Sequence, residues 1–303
     1  MSPVLADVQN RNVPHLRSVR NSEAAATSLE SPTIRQRAGY LFANPWKNFL
    51  LPAAWLRSRL RRSRSPLVAE SFARPGGWRS MEIIYRNAEP VDWFDRQALC
   101  DNPLSMAARN RRRLVTRKIA ELIARYGARS AVTIVGVGAG PGRHVQTAIV
   151  ESGIDPARVS ADLIDLDNDA FEYGRLLATR FEISHCLNFV KGDARRIRKV
   201  LPAVAAHIVK VVGLAEYLSD SQFVELLRAL REILVPGGRL ITHGFVDPHG
   251  TGRFLARMFK LRHRQRNERQ MRTLLRSAGY RVVECIVEPV GVYPILTAER
   301  DGM

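Results

Sequence analysis

The chain of 303 residues is 46% hydrophobic and carries a formal charge of +18, with a pI near 10.8. That apolar fraction supplies a sizeable core, whereas no run reaches transmembrane length and the N-terminus lacks the apolar stretch of a secretory signal. So basic a balance favours anionic partners (nucleic acid, an anionic membrane surface or an acidic substrate) and leaves the fold open.

Residues 1–38 are polar, Ser- and Arg-bearing and without periodicity, and are expected to be disordered. Their shortage of acids also fits an organelle transit segment. Next, "YLFANPWKNFLLPAAWLRSRLRRSRSP" (40–66) places Trp46 and Trp55 among leucines, ahead of Arg57, Arg59, Arg61, Arg62 and Arg64. Pro45, Lys47 and Pro52 interrupt the apolar run, so it cannot span a bilayer. Tryptophan beside clustered arginine suits an interface with anionic headgroups. The same residues also suit RNA, the less favoured partner, or a mobile linker whose Trp side chains dock on the main domain. The expected plan is thus a basic, largely disordered tail over 1–75, with a membrane- or anion-binding segment at 40–64. The protein is expected in the cytoplasm, peripheral on the inner face of the membrane.

A long helix is expected from about Pro103 to Tyr126, with Asn102 as N-cap, Pro103 in the first turn and Gly127 ending it. Val115, Ile119, Leu122 and Tyr126 make its buried face. Arg109, Arg111, Arg112, Arg113, Arg117 and Lys118 read as a solvated basic face. Beyond Arg129, apolar runs at 131–136, 161–164, 187–190, 208–213 and 239–245 alternate with helical segments near 143–152, 168–182, 220–233 and 266–278. That alternation predicts an α/β fold with a parallel sheet and helices on both faces. "YRVVECIVEPVGVYPILTAER" predicts an antiparallel hairpin closing the sheet edge. Cys100, Cys186 and Cys285 lie far apart without metal-ligand spacing, so no metal site is implied and they read as small buried hydrophobes of a reducing compartment.

The first strand runs into "GVGAGPGRH", a turn suited to close backbone approach to a nucleotide-like ligand. A dinucleotide fingerprint of the G-x-G-x-x-G kind fails in both registers, at Pro141 and at Arg143. The register G-x-G-x-G succeeds at Gly136, Gly138 and Gly140. Asp165 closes the next strand, where a carboxylate can accept both hydroxyls of a ribose. Asp193 follows the third, in reach of an adenine amino group. Any single Asp at a strand end is otherwise a helix N-cap; the ordered set, one feature per βα unit and followed by "LREILVPGGRLI", points to a bound nucleoside.

From about Gly127 to Arg300 the chain resembles the class I S-adenosylmethionine-dependent methyltransferases. Gly136, Gly138 and Gly140 match their glycine motif, Asp165 their ribose-binding acid, "GDA" (192–194) their adenine-contacting loop and "LVPGGRL" their fifth strand. The resemblance implies a Rossmann-like, mainly parallel sheet of seven strands with an antiparallel C-terminal hairpin and an N-terminal helical cap. It implies S-adenosylmethionine as cofactor, with contacts from Gly136, Gly138, Gly140, Asp165, Leu166, Asp193, Ala194 and Gly213. "GWRSMEIIYRN", "DNPLSMAARNRRR", "GLAEYLSD" and "RQRNERQMRTLLRSAGY" are similar to a narrower group of bacterial methyltransferases, some fused to α/β-hydrolases, whose substrate is not established. That likeness makes 76–127 an integral cap on a cofactor-binding domain over 128–303.

One position departs from the family. The acid that many members carry two residues before the first glycine is Ile134 here, so the amino-acid end of the cofactor must be held otherwise, by backbone around Gly213 and by Arg143 or His144. Methyl transfer from a sulfonium is an in-line displacement that needs positioning first and a base second. The acceptor is expected above strands four and five, near Glu216, Tyr217, His243, Asp247 and His249. Among these, Glu216 or Tyr217 is the expected substrate contact and His243 or His249 the expected base, while Tyr85 and Arg86 are expected to help close the pocket. The sequence "GLAEY" lacks the Pro-Pro turn of amino-methylating enzymes, and no cysteine nucleophile lies nearby. A small-molecule or lipid acceptor, methylated on O, N or C, is therefore expected; the alternative is a catalytically silent scaffold that binds RNA through the basic tail.

Overall fold

The computed structural model describes residues 28–300. Seven strands, β1 (Val132–Val137), β2 (Val159–Asp165), β3 (Leu187–Lys191), β4 (Ala206–Val211), β5 (Leu234–His243), β6 (Tyr280–Val287) and β7 (Pro294–Arg300), form one sheet in the order β3-β2-β1-β4-β5-β7-β6. The first five are parallel, and β7 runs antiparallel between β5 and β6. Valine and isoleucine fill both faces of β1 and β4, as a sheet covered on both sides requires. Chain order reverses between β1 and β4. That reversal opens a crevice above their carboxyl ends, the place where open α/β sheets bind ligands.

The expected hairpin is present, and a buried carboxylate shapes its turn. Glu288, 1% exposed, accepts the backbone N–H groups of Val290, Val292 and Tyr293. The expected helices between strands are also formed, at Arg143–Glu151, Asn168–Arg180, Asp220–Ile233 and Glu268–Ser277. One further helix, Thr251–Phe259, is not among those expected, despite its amphipathic pattern; Asp247 serves its N-terminus, accepting from the N–H groups of Thr251 and Gly252.

The cap is larger than its sequence suggests. Helices α1 (Ile34–Pro45), α2 (Ala53–Arg61), α3 (Pro66–Ala73), α4 (Trp78–Arg86) and α5 (Trp93–Leu99) precede the long α6 (Pro103–Gly127). The expectation of a largely disordered tail over 1–75 is therefore corrected for residues 34–73; residues 1–27 lie outside the described residues. Local chemistry starts these helices: Thr33 and Gln36 make a reciprocal capping box, and Ser65 caps α3 ahead of Pro66. Long-range bonds then hold them. Tyr40 donates to the carbonyl of Asp101, Asn44 to that of His249, Asn48 to that of Gly250, and Arg57 to that of Arg257. The apolar halves of α2 and α3 pack on Met258 and Phe259. None of the described helices is long and apolar enough to cross a membrane.

The long helix begins at its expected Asn102 cap, but its basic face is not all solvated. Arg109 and Arg111 are each 3% exposed. Arg109 is satisfied by Glu30 and the carbonyl of Leu99.

The cap meets the sheet domain through charge. Arg143, opening the helix after β1, is bidentate to the buried Glu82 of α4 at 2.5–2.9 Å. Arg79 pairs with Asp169 at 2.7 Å. Breaking a buried pair leaves one charge uncompensated, at a cost of about 3–5 kcal/mol. Glu82→Ala should lower the urea midpoint accordingly, and the double variant Glu82→Leu/Arg143→Met should recover most of the loss. A single variant as stable as the double would show that the pair does not join the two parts.

Candidate functional site

The loop after β1 turns through Gly138, Gly140 and Gly142, all with φ between +55° and +75°. Asp165 at the end of β2 fixes it. One carboxylate oxygen accepts the N–H of Gly140 at 2.7 Å, the other those of Leu166 and Asp167 at 2.7 and 3.1 Å. A carboxylate has about four acceptor sites, so capacity for a ligand hydroxyl is left. Asp167 caps the following helix and accepts from the indole N–H of Trp78 at 3.1 Å. Trp78 stacks on Tyr173, 5.3 Å between ring centres.

This loop forms one wall of a cavity of about 470 Å³ whose lining includes Asp165, Leu166, Asp193, Ala194, His144 and Lys210. Leu166 is 64% exposed, a bare apolar side chain beside a nucleoside-sized space. Asp193 is differently placed from what its sequence position implies. Its carboxylate caps the next turn and pairs with Arg195 at 2.7 Å, and that bonding holds its pKa below the usual carboxylate range. The N-cap role thus competes directly with an adenine contact.

Beneath the cavity lies a group of buried charges. Lys210 of β4, 2% exposed, pairs in register with Gly136 of β1. Burial first, and the Arg111 charge second, lower its ammonium pKa to about 8, against the opposing pull of Asp165 and Glu216. His144 is buried too, its Nε2 without a hydrogen-bond partner among the described residues. Burial and the positive charges of Lys210 and Arg111 push its pKa well down, so it is neutral. Arg111 lies 3.6 Å from Glu216, 3.2 Å from Nε2 of His243 and 4.4 Å from the centre of the Tyr293 ring.

Gly76, Met81, Arg111 and Gly213 line this cavity and also a second, of about 1200 Å³, enclosed by the cap. Its walls are chiefly apolar: Leu60, Leu67, Val68, Ile84 and Phe259 from the cap and the 251–259 helix, with Glu216, Tyr217, His263 and Tyr293 at the sheet end. At Gly213, φ is +89° and an added Cβ would have nothing within 4 Å, so the chain leaves open space there. Two chambers, one polar and one apolar, therefore meet at the carboxyl end of β4.

A family model described as "Putative methyltransferase" matches residues 86–300. The chain belongs to that methyltransferase family. Solved structures agree in fold. A "possible exported protein" from Bordetella parapertussis matches with a TM-score of 0.68 at 18% identity, over 88% of this chain and 96% of that one. An O-methyltransferase family protein from Burkholderia thailandensis matches with 0.53 at 18%, over 91% and 74%. Magnesium protoporphyrin IX methyltransferase from Synechocystis PCC 6803, solved with bound S-adenosylhomocysteine, matches with 0.54 at 13%, over 74% and 94%. No curated protein matches the sequence.

Within this methyltransferase the expected acceptor residues divide. Glu216 and Tyr217, on the short turn Ala215–Tyr217, line the apolar cavity. Arg266 anchors that turn by donating to the carbonyls of Ala215 and Leu218, both at 2.6 Å. His243 and His249 are corrected. His243 Nδ1–H donates to the carbonyl of Gly244 at 2.8 Å, and Nε2 accepts the N–H of Gly213 at 3.0 Å. Both ring nitrogens are thus engaged in a residue 1% exposed. His249 donates to the carbonyl of Val290 at 2.9 Å and packs edge-on to Tyr40, outside both cavities. Arg143 is committed to Glu82, and the Gly213 N–H to His243, so neither is spare for the amino-acid end of a cofactor. Tyr85 lines the smaller cavity against His144, and Arg86 donates to Tyr173 at 3.1 Å.

Three residues are new to the site: Lys210, Arg111 and His263. Lys210 had a readable signal, a single charge inside the apolar run "AHIVKVV". His263 had none, since it sits in a basic loop. That loop is strapped to the Ala215–Tyr217 turn by the Arg264 N–H on the Glu216 carbonyl. The strap sets His263 Nε2 3.3 Å from the Tyr217 hydroxyl, while Nδ1 has no partner among the described residues.

The state of His243 fixes a pH response. Burial, then the Arg111 charge, lower its pKa to about 4, with Glu216 pulling the other way. Its stabilising contribution is complete above the unfolded value near 6.5 and is lost as pH falls towards about 4. Neutral, buried His144 adds a loss of the same sign. Urea midpoints should therefore fall between these pH values, and His243→Gln should flatten part of the slope. An unchanged slope in the variant would mean that His243 does not titrate with unfolding.

Proposed function

We propose that the chain is an S-adenosylmethionine-dependent methyltransferase whose acceptor is an apolar small molecule held under the helical cap. The single observation that carries this reading is the meeting of the two cavities at Gly213, Met81 and Arg111. One cavity has the carboxylate and turning backbone that a nucleoside needs, the other an apolar chamber for a partner molecule. When bound, S-adenosylmethionine supplies an electrophilic methyl group on a sulfonium. The Synechocystis neighbour, solved with bound S-adenosylhomocysteine, supports the same ligand class here.

The residues present fit that ligand. Asp165 has acceptor capacity for ribose hydroxyls, and Leu166 offers an apolar shelf for a flat ring. Lys210, with neutral His144 beside it, holds the carboxylate end. Lys210 stands on β4 opposite Gly136 of β1, two positions beyond Ile134, the position that carries no acid. The acceptor side excludes water by apolar burial, which strengthens every interaction between the two ligands. His263 lines the acceptor chamber beside the Tyr217 hydroxyl. Burial keeps the ring neutral by lowering its pKa, and Tyr217 orients it through Nε2.

Isothermal titration with S-adenosylhomocysteine tests the reading directly. Saturable binding is expected, and none from folded protein at millimolar ligand would sink it. Asp165→Ala should weaken that binding by about 1.5–3 kcal/mol, the range for a hydrogen bond to a charged group. The affinity should also fall as pH rises through about 8, where Lys210 loses its proton. Lys210→Met should bind more weakly at neutral pH and show no such fall; a retained fall would assign the titration to another group.

A further inference from the structure

We propose that the outer face of residues 34–64 docks on an anionic lipid bilayer, and that the acceptor cavity opens into that contact. Leu41, Phe42, Trp46, Phe49, Leu50 and Trp55 are all exposed, between 48% and 77% of their surface. They are not scattered: α1 runs directly into a π-helical turn at Trp46–Leu50, and its opposite side is pinned by Asn44 and Asn48 to the loop after β5. Exposed apolar side chains gathered on a firmly held surface mark an interaction site.

The chemistry of the rim selects the partner. Between Ser31 and Arg64 there are eight Lys and Arg residues and no Asp or Glu. Arg253, also exposed, stacks over Phe49 at 4.4 Å, and Arg59 over Trp55 at 5.4 Å. A second copy of this chain would bring like charges together, because a two-fold interface sets the same patch against itself. RNA would satisfy the cations but leave Leu41, Phe42 and Leu50 in water. A bilayer with anionic headgroups satisfies both, with aliphatic groups in the acyl boundary, Trp at headgroup level and Arg on phosphate.

Trp46 and Trp55 connect the surface to the site. Each is exposed on the outer face and also lines the 1200 Å³ cavity. Typical small-molecule pockets span about 300–1,000 Å³, so the chamber takes a bulky apolar acceptor. Such a molecule partitions into a bilayer and would enter from it without crossing water. This opening rests on the reading of the chamber as the acceptor site; the docking does not.

Flotation of the full chain with phosphatidylcholine vesicles, with and without phosphatidylglycerol, tests the docking. The protein should float with the anionic vesicles and be released between about 0.1 and 1 M salt, as the Debye length contracts from about 10 to 3 Å. Arg59→Glu/Arg62→Glu should weaken partitioning roughly fivefold or more per cation. Phe42→Ser/Phe49→Ser should abolish flotation at unchanged affinity for S-adenosylhomocysteine, which also reports folding. Brominated lipid should quench tryptophan fluorescence, and Trp46→Phe/Trp55→Phe should remove the quenchable fraction. No flotation at low salt, equal flotation of the Ser variant, or quenching that survives the Phe variant would each overturn the docking. So would flotation only by a chain starting at Ser28, which would mean that residues 1–27 cover the face, or a dimer that the Ser variant makes monomeric. Vesicle binding without ligand binding would instead remove the reading of the site and leave the docking standing.

Discussion

A guanidinium taken out of water must be surrounded by partners, and Arg111 is taken out almost completely. Its neighbours come from every part that matters: Met81 of the cap, Glu216 after β4, His243 at the end of β5, and Tyr293 before β7. The long helix is thereby locked to the carboxyl edge of the sheet, with its charge at the junction of both cavities. Burial favours loss of a charge, yet the facing rings and carboxylate keep this one ionised, raising the Arg111 pKa. Glu216 responds in kind. Burial pushes its carboxyl up, but the Arg111 charge, and that of His243 when protonated, more than offset it and hold the pKa low.

The parallel sheet, its hairpin and the glycine turn were legible because each has a local cause: apolar alternation, a turn residue or a strand-end acid. Helix α6 was legible for the same reason, in its Asn102 cap and Pro103. The side of that helix which faces solvent was not. Counting arginines along 103–127 cannot show that Arg109 meets Glu30 and Arg111 meets Glu216, partners distant in sequence. Residues 34–73 failed as a prediction for a related reason. Their stretches are short and interrupted by proline, and what orders them is a set of amide and guanidinium bonds to carbonyls some two hundred positions away. Among candidate site residues, Asp165 could be placed by pattern. His243 and His249 could not be told from His263, because a loop histidine carries no mark of which backbone groups will occupy its nitrogens.

The large positive charge has more than one destination. Arg109, Arg111, Arg266 and Lys210 are all within a few per cent of complete burial and serve to tie elements together or to line the site. They contribute little to any outward field. The acid-free stretches from Ser31 to Arg64 and from Arg253 to Asn267 both remain as concentrated basic surface on the described residues. Composition alone suggests an anionic partner anywhere on the molecule; subtracting the buried cations narrows that expectation to exposed clusters such as these.

The same subtraction applies inside the site. Around the junction, Arg111 and Lys210 face Asp165 and Glu216, so the buried charges balance before any ligand arrives. That balance is uneven in space. Asp165 takes three backbone donors at the nucleoside end and keeps acceptor capacity, whereas Oε2 of Glu216 is buried without a hydrogen-bond partner among the described residues. A buried carboxylate oxygen without a donor is costly unless positive charge stands near the group, as Arg111 does at 3.6 Å. On the proposed reading, the carboxylate end of the ligand goes to Lys210 and its cationic centre to the Glu216 side of Gly213. The proposed orientation of S-adenosylmethionine, sulfonium towards the larger cavity, sets its two ends against Lys210 and Glu216 in turn.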